Sequence, residues 1–384
     1  MPDYSMKCPV FFGPGSIKIL GERAKELGGT KAMLICDPNL GQETYDKAIE
    51  SVTSAGLDYV LYNKTKRDAP IEVIDECGEI AKSEGVDFLV GIGGGSTLDT
   101  AKATTILLEY PGPIKQYILG QPIQMDVHTP MILMPTTAGT GSECTKVAVV
   151  NRTDLNMKWS VFVKLTLAII DPELTVTLPP DPTAYTGMDA MAHSIEGITS
   201  TNRNPYAHAC GIMAIRHASR YLLRAYHDGS DMEARIAMSK AAHLGGLAFD
   251  DPMTHFGHAT ADGMSITLHT EHGVGCGLAL PEVCDICGPV VPDLMLEIAE
   301  ALEIDLTGKE SAELVGNKCA EKCRNMMHEM KLKGLAARGF DRDLMATVAN
   351  ETEHSHLASY SPIPVDRELA LKIAFGVYDH YQQD

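Results

Sequence analysis

This chain lacks what several large classes of protein need. It has no excess of positive charge: 32 Lys and Arg stand against 51 Asp and Glu, a formal net charge of −19. A surface of that sign repels phosphate, which argues against nucleic acid and anionic membrane as partners. No apolar run approaches about 18 residues, and no basic stretch leads into an apolar core at the start, so neither a membrane span nor a secretory leader is expected. The ten cysteines among 384 residues follow no disulfide framework. They read as thiols of a reducing, cytoplasmic compartment. Cys284-x-x-Cys287 and Cys319-x-x-x-Cys323 have spacings that a four-thiolate zinc site uses, but a long helix-patterned stretch separates them, and buried or surface thiols are the plainer reading. Internal repeats and low-complexity segments are absent as well.

What is present is an ordinary globular composition, 45% hydrophobic and 22% charged, at a length that suits two domains. In the first half, short apolar runs at 31–37, 59–62, 86–92 and 130–135 read as buried strands. Helix-spaced stretches at 42–55 and 71–84 lie among them. Strand and helix in alternation predict a mostly parallel sheet with helices on both faces, an α/β domain over 1–177. Leu178-Pro-Pro-Asp-Pro182 reads as a linker. Beyond it, over 178–384, helical patterns follow at 183–200, 205–227, 231–249, 292–302, 311–331, 341–351 and 365–381, and strand-like runs are nearly absent. That half is expected to be an all-helical domain.

The helical half carries a metal-binding pattern. Asp189 and His193 are four apart, which places both on one helix face. His258 and His272 follow, the latter among glycines expected to leave room around its imidazole. One carboxylate and three imidazoles form an O/N donor set that suits Fe(II) or Zn(II) and is unlike a soft thiolate site. Most D-x-x-x-H pairs are solvated polars on a helix, so the pair alone does not decide.

The other half supplies a cofactor pattern. Gly91-Ile-Gly-Gly-Gly-Ser96 leaves a predicted strand and opens a helix, the arrangement that brings backbone N–H groups and the helix dipole to a pyrophosphate. Ser96 with Asp99 is also a helix-capping pattern. The hydroxyl- and glycine-rich Pro135-Thr-Thr-Ala-Gly-Thr-Gly-Ser-Glu143 leaves another strand, and its groups, Ser142 included, suit the ribose of a dinucleotide. Asp37 ends an earlier strand, placed to accept from a ribose diol and to repel a 2′-phosphate, which favours NAD(H) over NADP(H). It precedes the glycines, whereas the common fingerprint has its acid about 20 residues after them.

Taken with Asp171-Pro-Glu-Leu-Thr175, Thr186-Gly-Met-Asp-Ala-Met-Ala-His193 and His272-Gly-Val274, these segments resemble the iron-containing (group III) alcohol dehydrogenase family over most of the chain. The resemblance implies the dehydroquinate synthase-like fold of a dinucleotide-binding α/β domain and an all-α metal domain. It assigns Asp189, His193, His258 and His272 as metal ligands. His258 is preferred to His255 because the family's third ligand lies 14 residues before the fourth, as His258 does before His272. Asp37, Gly94, Gly95, Ser96, Thr136, Thr137 and Thr140 match cofactor positions. Asp99 and Ser142 fall in the same two loops, Asp68 matches a polar residue near the adenosine, and Lys158 matches a lysine that meets the ribose. The activity implied is NAD(H)-linked hydride transfer to or from a small alcohol or carbonyl at one divalent metal, Fe(II) by resemblance and Zn(II) by ligand chemistry. A homodimer or larger homo-oligomer is also implied.

One position departs from the family. Where it usually has a histidine near the nicotinamide, this chain has Asp262. A carboxylate there extends the metal's surroundings, accepts a proton in catalysis, or is a solvated acid. Glu353-His-Ser-His356 reads as a polar loop. A sugar-phosphate cyclase of the same superfamily would need converging basic residues, yet the arginines at 203, 216, 220, 224 and 235 are mostly at helix-surface spacing. A non-catalytic binding module would leave both patterns unused.

Overall fold

The aliphatic runs of the first half do become strands, and they stack side by side in parallel. The structure, a computed structural model, describes residues 6–118, 124–155 and 157–383. It divides into two units: 6–137 with 141–178, and 179–383 with 138–140. In the first lie β1 (Val10–Phe12), α1 (Leu20–Glu26), β2 (Lys31–Cys36), α2 (Gln42–Ser54), β3 (Asp58–Tyr62), α3 (Ile71–Ser83), β4 (Phe88–Gly93), α4 (Gly95–Glu109), β5 (Gln124–Met125), β6 (Met131–Pro135), β7 (Val147–Arg152), β8 (Met157–Val163) and β9 (Leu167–Ile170). Six of these strands form an all-parallel sheet in the order β1-β9-β6-β4-β2-β3.

Both faces of that sheet are buried. Met33, Ile35, Leu89 and Leu133 pack with α3 and α4, while Ala32, Leu34, Val90 and Ile132 pack with α1 and α2. Each buried aliphatic side chain contributes roughly 1.5–3 kcal/mol, so a strand apolar on both faces belongs at the centre of the sheet. The chain runs from β2 outward to β3 and then returns to the other side of β2 as β4. The order reverses between β2 and β4, and at such a point the strand ends open a crevice for ligands. A second sheet, β5-β8-β7, holds an antiparallel β7–β8 pair running from Val147↔Phe162 to Arg152↔Met157. No strand is expected there from the sequence, because these segments are only partly buried and their apolar signal is diluted.

The second unit is helical: α5 (Pro180–Thr199), α6 (Pro205–His227), α7 (Met232–Phe249), α8 (Phe256–Leu268), α9 (His272–Val290), α10 (Pro292–Ala301), α11 (Ala312–Glu329), α12 (Met345–His354) and α13 (Arg367–Asp379). The expected linker is shorter than the sequence suggests. Pro180 and Pro182 lie in the first turn of α5, where a missing N–H costs nothing. Arg235 is no surface residue; it is buried and donates to Gly229 O and Thr183 Oγ1.

Two helices, α8 and α9, go beyond the sequence expectation. Pro281 and Pro289 sit inside α9, and its glycines blur any helical periodicity. Those glycines do not make room around His272. A Cβ on Gly273 would lie 2.6 Å from Tyr185 O, and one on Gly275 would lie 3.0 Å from Ala261 Cα, so they let α9 approach its neighbours closely. By length and composition α9 is apolar enough to cross a membrane, yet 78% of that window is buried inside the protein. Cys284, Cys287, Cys319 and Cys323 are buried free thiols. Among the described residues they form no metal-holding group.

Candidate metal and cofactor sites

Helix α5 places Asp189, His193 and Glu196 on one stripe, at offsets of four and three residues. Asp189 Oδ1 is the hub. His193 Nε2 lies 3.8 Å from it, His258 Nε2 from α8 3.7 Å, and His272 Nε2 from the start of α9 3.8 Å. Ligands about 2.1 Å from one ion at tetrahedral angles are about 3.4 Å apart, so these separations suit a shared metal. The hydrogen bonding says the same. Asp189 Oδ1 and His258 Nε2 are buried with no hydrogen-bond partner, and an orphaned buried polar group costs about 1–3 kcal/mol. A divalent cation satisfies all of them together.

At Asp189 and His193 the charge states fit a cation site. Burial would raise the Asp189 carboxyl, but the surrounding imidazoles hold it well below the ordinary carboxylate range. Burial pushes the His193 imidazole down to about 3, leaving a neutral ring with a lone pair to give. That ring is clamped between Phe249, with centroids 4.1 Å apart, and His258, at 4.5 Å.

Sequence reasoning missed Glu196. Its Oε1 accepts from His258 Nδ1 at 2.6 Å, and its Oε2 accepts from the backbone N–H of His255 at 2.7 Å. Burial opposes the charge, but the His258 and His255 imidazoles hold the carboxyl at about 2. With Nδ1 donating to Glu196, the Nε2 of His258 is the nitrogen that would give its lone pair to a metal held beside Asp189. Gly257 makes this approach possible, since a Cβ there would stand 2.5 Å from Glu196 Oε1. A signal existed: Glu196 is seven residues beyond Asp189, on the same helix face. His255 is fully buried, and its Nε2 is 2.8 Å from Thr199 Oγ1, so it braces α8 against α5.

Asp262, one turn after His258, places Oδ1 3.5 Å from His272 Nδ1, the nitrogen facing away from Asp189. His354 Nδ1 contacts Asn350 O at 2.8 Å, whereas His356 is exposed and within electrostatic reach of Asp262. Cys276, also absent from the sequence expectation, stands with Asp189, His258 and His272 in a group whose donor atoms all lie within 4.8 Å of one another.

In the first unit, the cofactor candidates gather at the carboxyl edge of the parallel sheet. Asp37 N–H donates to Ile92 O, so the end of β2 lies beside the glycine turn after β4. Thr136 N–H donates to Gly93 O, which brings in the end of β6. The Asp37 carboxylate accepts from Asn39 N–H at 2.9 Å and from its side-chain amide at 3.0 Å. Helix α4 starts at Gly94–Gly95 with no side-chain cap, so Ser96 and Asp99 do not form the capping pair. An uncapped N-terminus of a 15-residue helix is suited to an anion.

Ser96 Oγ instead accepts from Asp68 N–H at 2.9 Å, and Lys158 Nζ pairs with Asp68 Oδ1 at 2.9 Å. Three residues distant in sequence thus meet, held by a backbone in which Asp68 has φ +64°. The polar groups of Asp99 and Ser142 are engaged inside the unit. Ser142 Oγ donates to Asp99 Oδ1 at 2.6 Å, Val149 N–H to Asp99 Oδ2, and buried Lys102 to Ser142 Oγ. Thr137 stays in this unit, whereas Thr140 belongs with the helical one. Asp171 has a structural task, accepting from the N–H groups of Gly15, Ile17 and Glu173.

Comparison with known proteins gives the family. The family described as iron-containing alcohol dehydrogenase matches residues 9–172, and its C-terminal counterpart matches residues 183–374. A choline dehydrogenase of Bacillus subtilis is 34% identical over 346 residues, covering 88% of this chain and 86% of that protein. A solved 1,3-propanediol oxidoreductase superposes with a TM-score of 0.92 at 28% identity, over 98% of this chain and all of that one. A sulfoacetaldehyde reductase from Bifidobacterium kashiwanohense, solved in complex with NAD+, superposes with a TM-score of 0.88 at 25% identity over 99% of both chains. The chain belongs to the iron-containing alcohol dehydrogenase family and is a metal-dependent, NAD-linked oxidoreductase of CH–OH groups.

Proposed function

We propose that Asp189, His193, His258 and His272 hold the divalent metal, and that NAD(H) seats along the carboxyl edge of the parallel sheet at Asp37, Gly94–Ser96 and Thr136–Thr137. One observation carries the metal centre: a buried carboxylate oxygen without a hydrogen-bond partner, 3.7–3.8 Å from three imidazole nitrogens. When bound, the metal supplies Lewis acidity to an alcohol or carbonyl oxygen, and the nicotinamide accepts or gives the hydride.

The chain's own residues prepare that chemistry. Glu196 fixes the tautomer of His258, and Asp262 stands at the outer nitrogen of His272, so both rings are aimed by carboxylates. Asp262 is therefore a positioning residue rather than one that meets the substrate. The α4 N-terminus directs its dipole and free N–H groups at the pyrophosphate, and Asp37 accepts from the adenosine ribose diol. Lys158, tied to Asp68, brings positive charge to that edge.

The substrate we infer is a small alcohol, or its aldehyde or ketone. Choline, sulfoacetaldehyde and 1,3-propanediol, which name relatives of this chain, are the first compounds to screen. The test is nicotinamide absorbance with such a panel, before and after chelation and with Fe(II) or Zn(II) returned. Turnover that survives complete metal removal sinks the assignment. A cytoplasmic setting fits ten free cysteines. A homo-oligomer fits the exposed Tyr59 and Leu61 on edge strand β3, and sizing in solution reads it.

A further inference from the structure

A sulfur stands where the metal donors converge. Cys276 follows His272 by four residues on α9, so the two side chains share a helix face. Its Sγ is buried and lies 3.4 Å from His272 Nε2. A metal that holds a thiolate at about 2.3 Å and an imidazole at about 2.1 Å keeps those atoms about 3.6 Å apart at tetrahedral angles. The observed spacing is close to that value. A cysteine by itself would carry nothing, but two other atoms point into the same space. Asp189 Oδ1 and His258 Nε2, on residues only 1% and 4% exposed, have no hydrogen-bond partner and lie within 4.8 Å of the sulfur. The group that closes within 4.8 Å contains Cys276 and not His193, whose Nε2 lies 3.8 Å from Asp189 Oδ1 and whose ring stacks on His258.

We propose that Cys276 Sγ is itself a ligand of the metal, an inference that rests on the metal centre assigned above. The donor set is then N, O and S rather than N and O. Thiolate adds a softer donor and favours zinc and cobalt(II) over iron(II) beyond the ordinary affinity order. As the metal–sulfur bond forms, the S–H bond breaks and its proton passes to the buffer; no electron is transferred. The spacing H-x-x-x-C on α9 repeats the D-x-x-x-H spacing on α5, so each helix offers the cation two donors from adjacent turns.

Cobalt(II) reads this directly, because thiolate bound to it gives a charge-transfer band in the near ultraviolet that nitrogen and oxygen donors lack. Metal-free full-length protein is titrated with cobalt(II), and the same is done for Cys276→Ser and Cys276→Ala. The expected result is one cobalt per chain in the wild type with the charge-transfer band present, and loss of that band in both variants while the visible ligand-field bands remain. In anaerobic competition between equimolar zinc and iron(II), the zinc-to-iron ratio in the wild type should exceed that in Cys276→Ser by at least about tenfold. Even a partner outside the coordination sphere is worth 10–100-fold in affinity. Full ligand-field bands without the charge-transfer band in the wild type overturn the sulfur ligand and leave the metal centre standing. An unchanged metal ratio in Cys276→Ser does the same. Cobalt that fails to bind the wild type at one per chain overturns both readings. The wild-type spectrum decides even if a variant folds poorly.

Discussion

The two halves of this protein prepare their ligand sites by opposite means. The α/β unit uses backbone: a glycine turn, an uncapped helix start and three strand ends brought together by N–H···O bonds. Its side chains there are largely satisfied by one another, as in the Asp68–Ser96–Lys158 and Asp99–Ser142–Lys102 groups. The helical unit uses side chains and leaves them unsatisfied. Asp189 Oδ1 and His258 Nε2 are buried without a partner, held apart from water by well-packed helices. A dinucleotide is long and can be gripped through peptide groups at many points, whereas a single cation needs several charged or lone-pair atoms converging on one place. Damage should therefore stay local in function: each half can be broken while the other still binds its ligand.

The largest effect expected is on the metal side. Asp189→Ala should lower metal affinity by more than roughly 100-fold and abolish turnover, since even an outer partner is worth 10–100-fold. NADH binding, read by fluorescence, should persist. Metal content equal to wild type would refute the hub role. Glu196→Ala should cost roughly 10–100-fold in metal affinity, because His258 loses the acceptor that fixes its tautomer. Glu196→Gln, which keeps an acceptor, should lose less; equal losses in the two variants would point to a packing role instead.

The opposite half is tested by Gly94→Val. A Cβ at Gly94 already meets Thr137 Cγ2 at 3.3 Å, and overpacking of about 1–3 kcal/mol should raise KM for NAD+ by roughly tenfold. Metal content should not move; if it falls in step with cofactor binding, the two sites are not separable. Smaller again is Asp37→Gly, which should narrow the preference for NAD(H) over NADP(H) by about fivefold, the scale of one charge interaction of about 1 kcal/mol in water. Equal kcat/KM for both cofactors in the unmutated protein would remove its basis. The smallest effect belongs to Asp262→Asn. A part-exposed carboxylate contact at His272 Nδ1 is worth roughly 2–5-fold in metal retention, and Asp262→His should stay active. Unchanged retention in Asp262→Asn would make the residue a solvated acid.

What the sequence revealed follows the same division. The central strands were legible because burial on both faces makes them continuous aliphatic runs, as in Phe88–Ile92. Strands β7 and β8 were not, being partly exposed and mixed in composition. The glycine turn after β4 and the Asp189–His193 spacing were readable from type and interval. Glu196 and Cys276 were not read, although each repeats a helical interval from an expected ligand. A buried carboxylate or thiol shows its importance only once its neighbours are known. Ser96 and Asp99 taught the reverse lesson: a good capping pattern in sequence, but in the folded chain Ser96 accepts from Asp68 and Asp99 from Ser142.

The donors of α5 and α9 are far apart along the chain, and this sets a chronology. Asp189 and His193 leave the ribosome about eighty residues before His272 and Cys276, roughly 4–16 s at ordinary rates of synthesis. Through that interval the carboxylate has no α9 imidazole beside it, and the earlier helices have no α9 to pack against. A cation that needs the α9 donors as well as those of α5 would therefore be held only by the finished core.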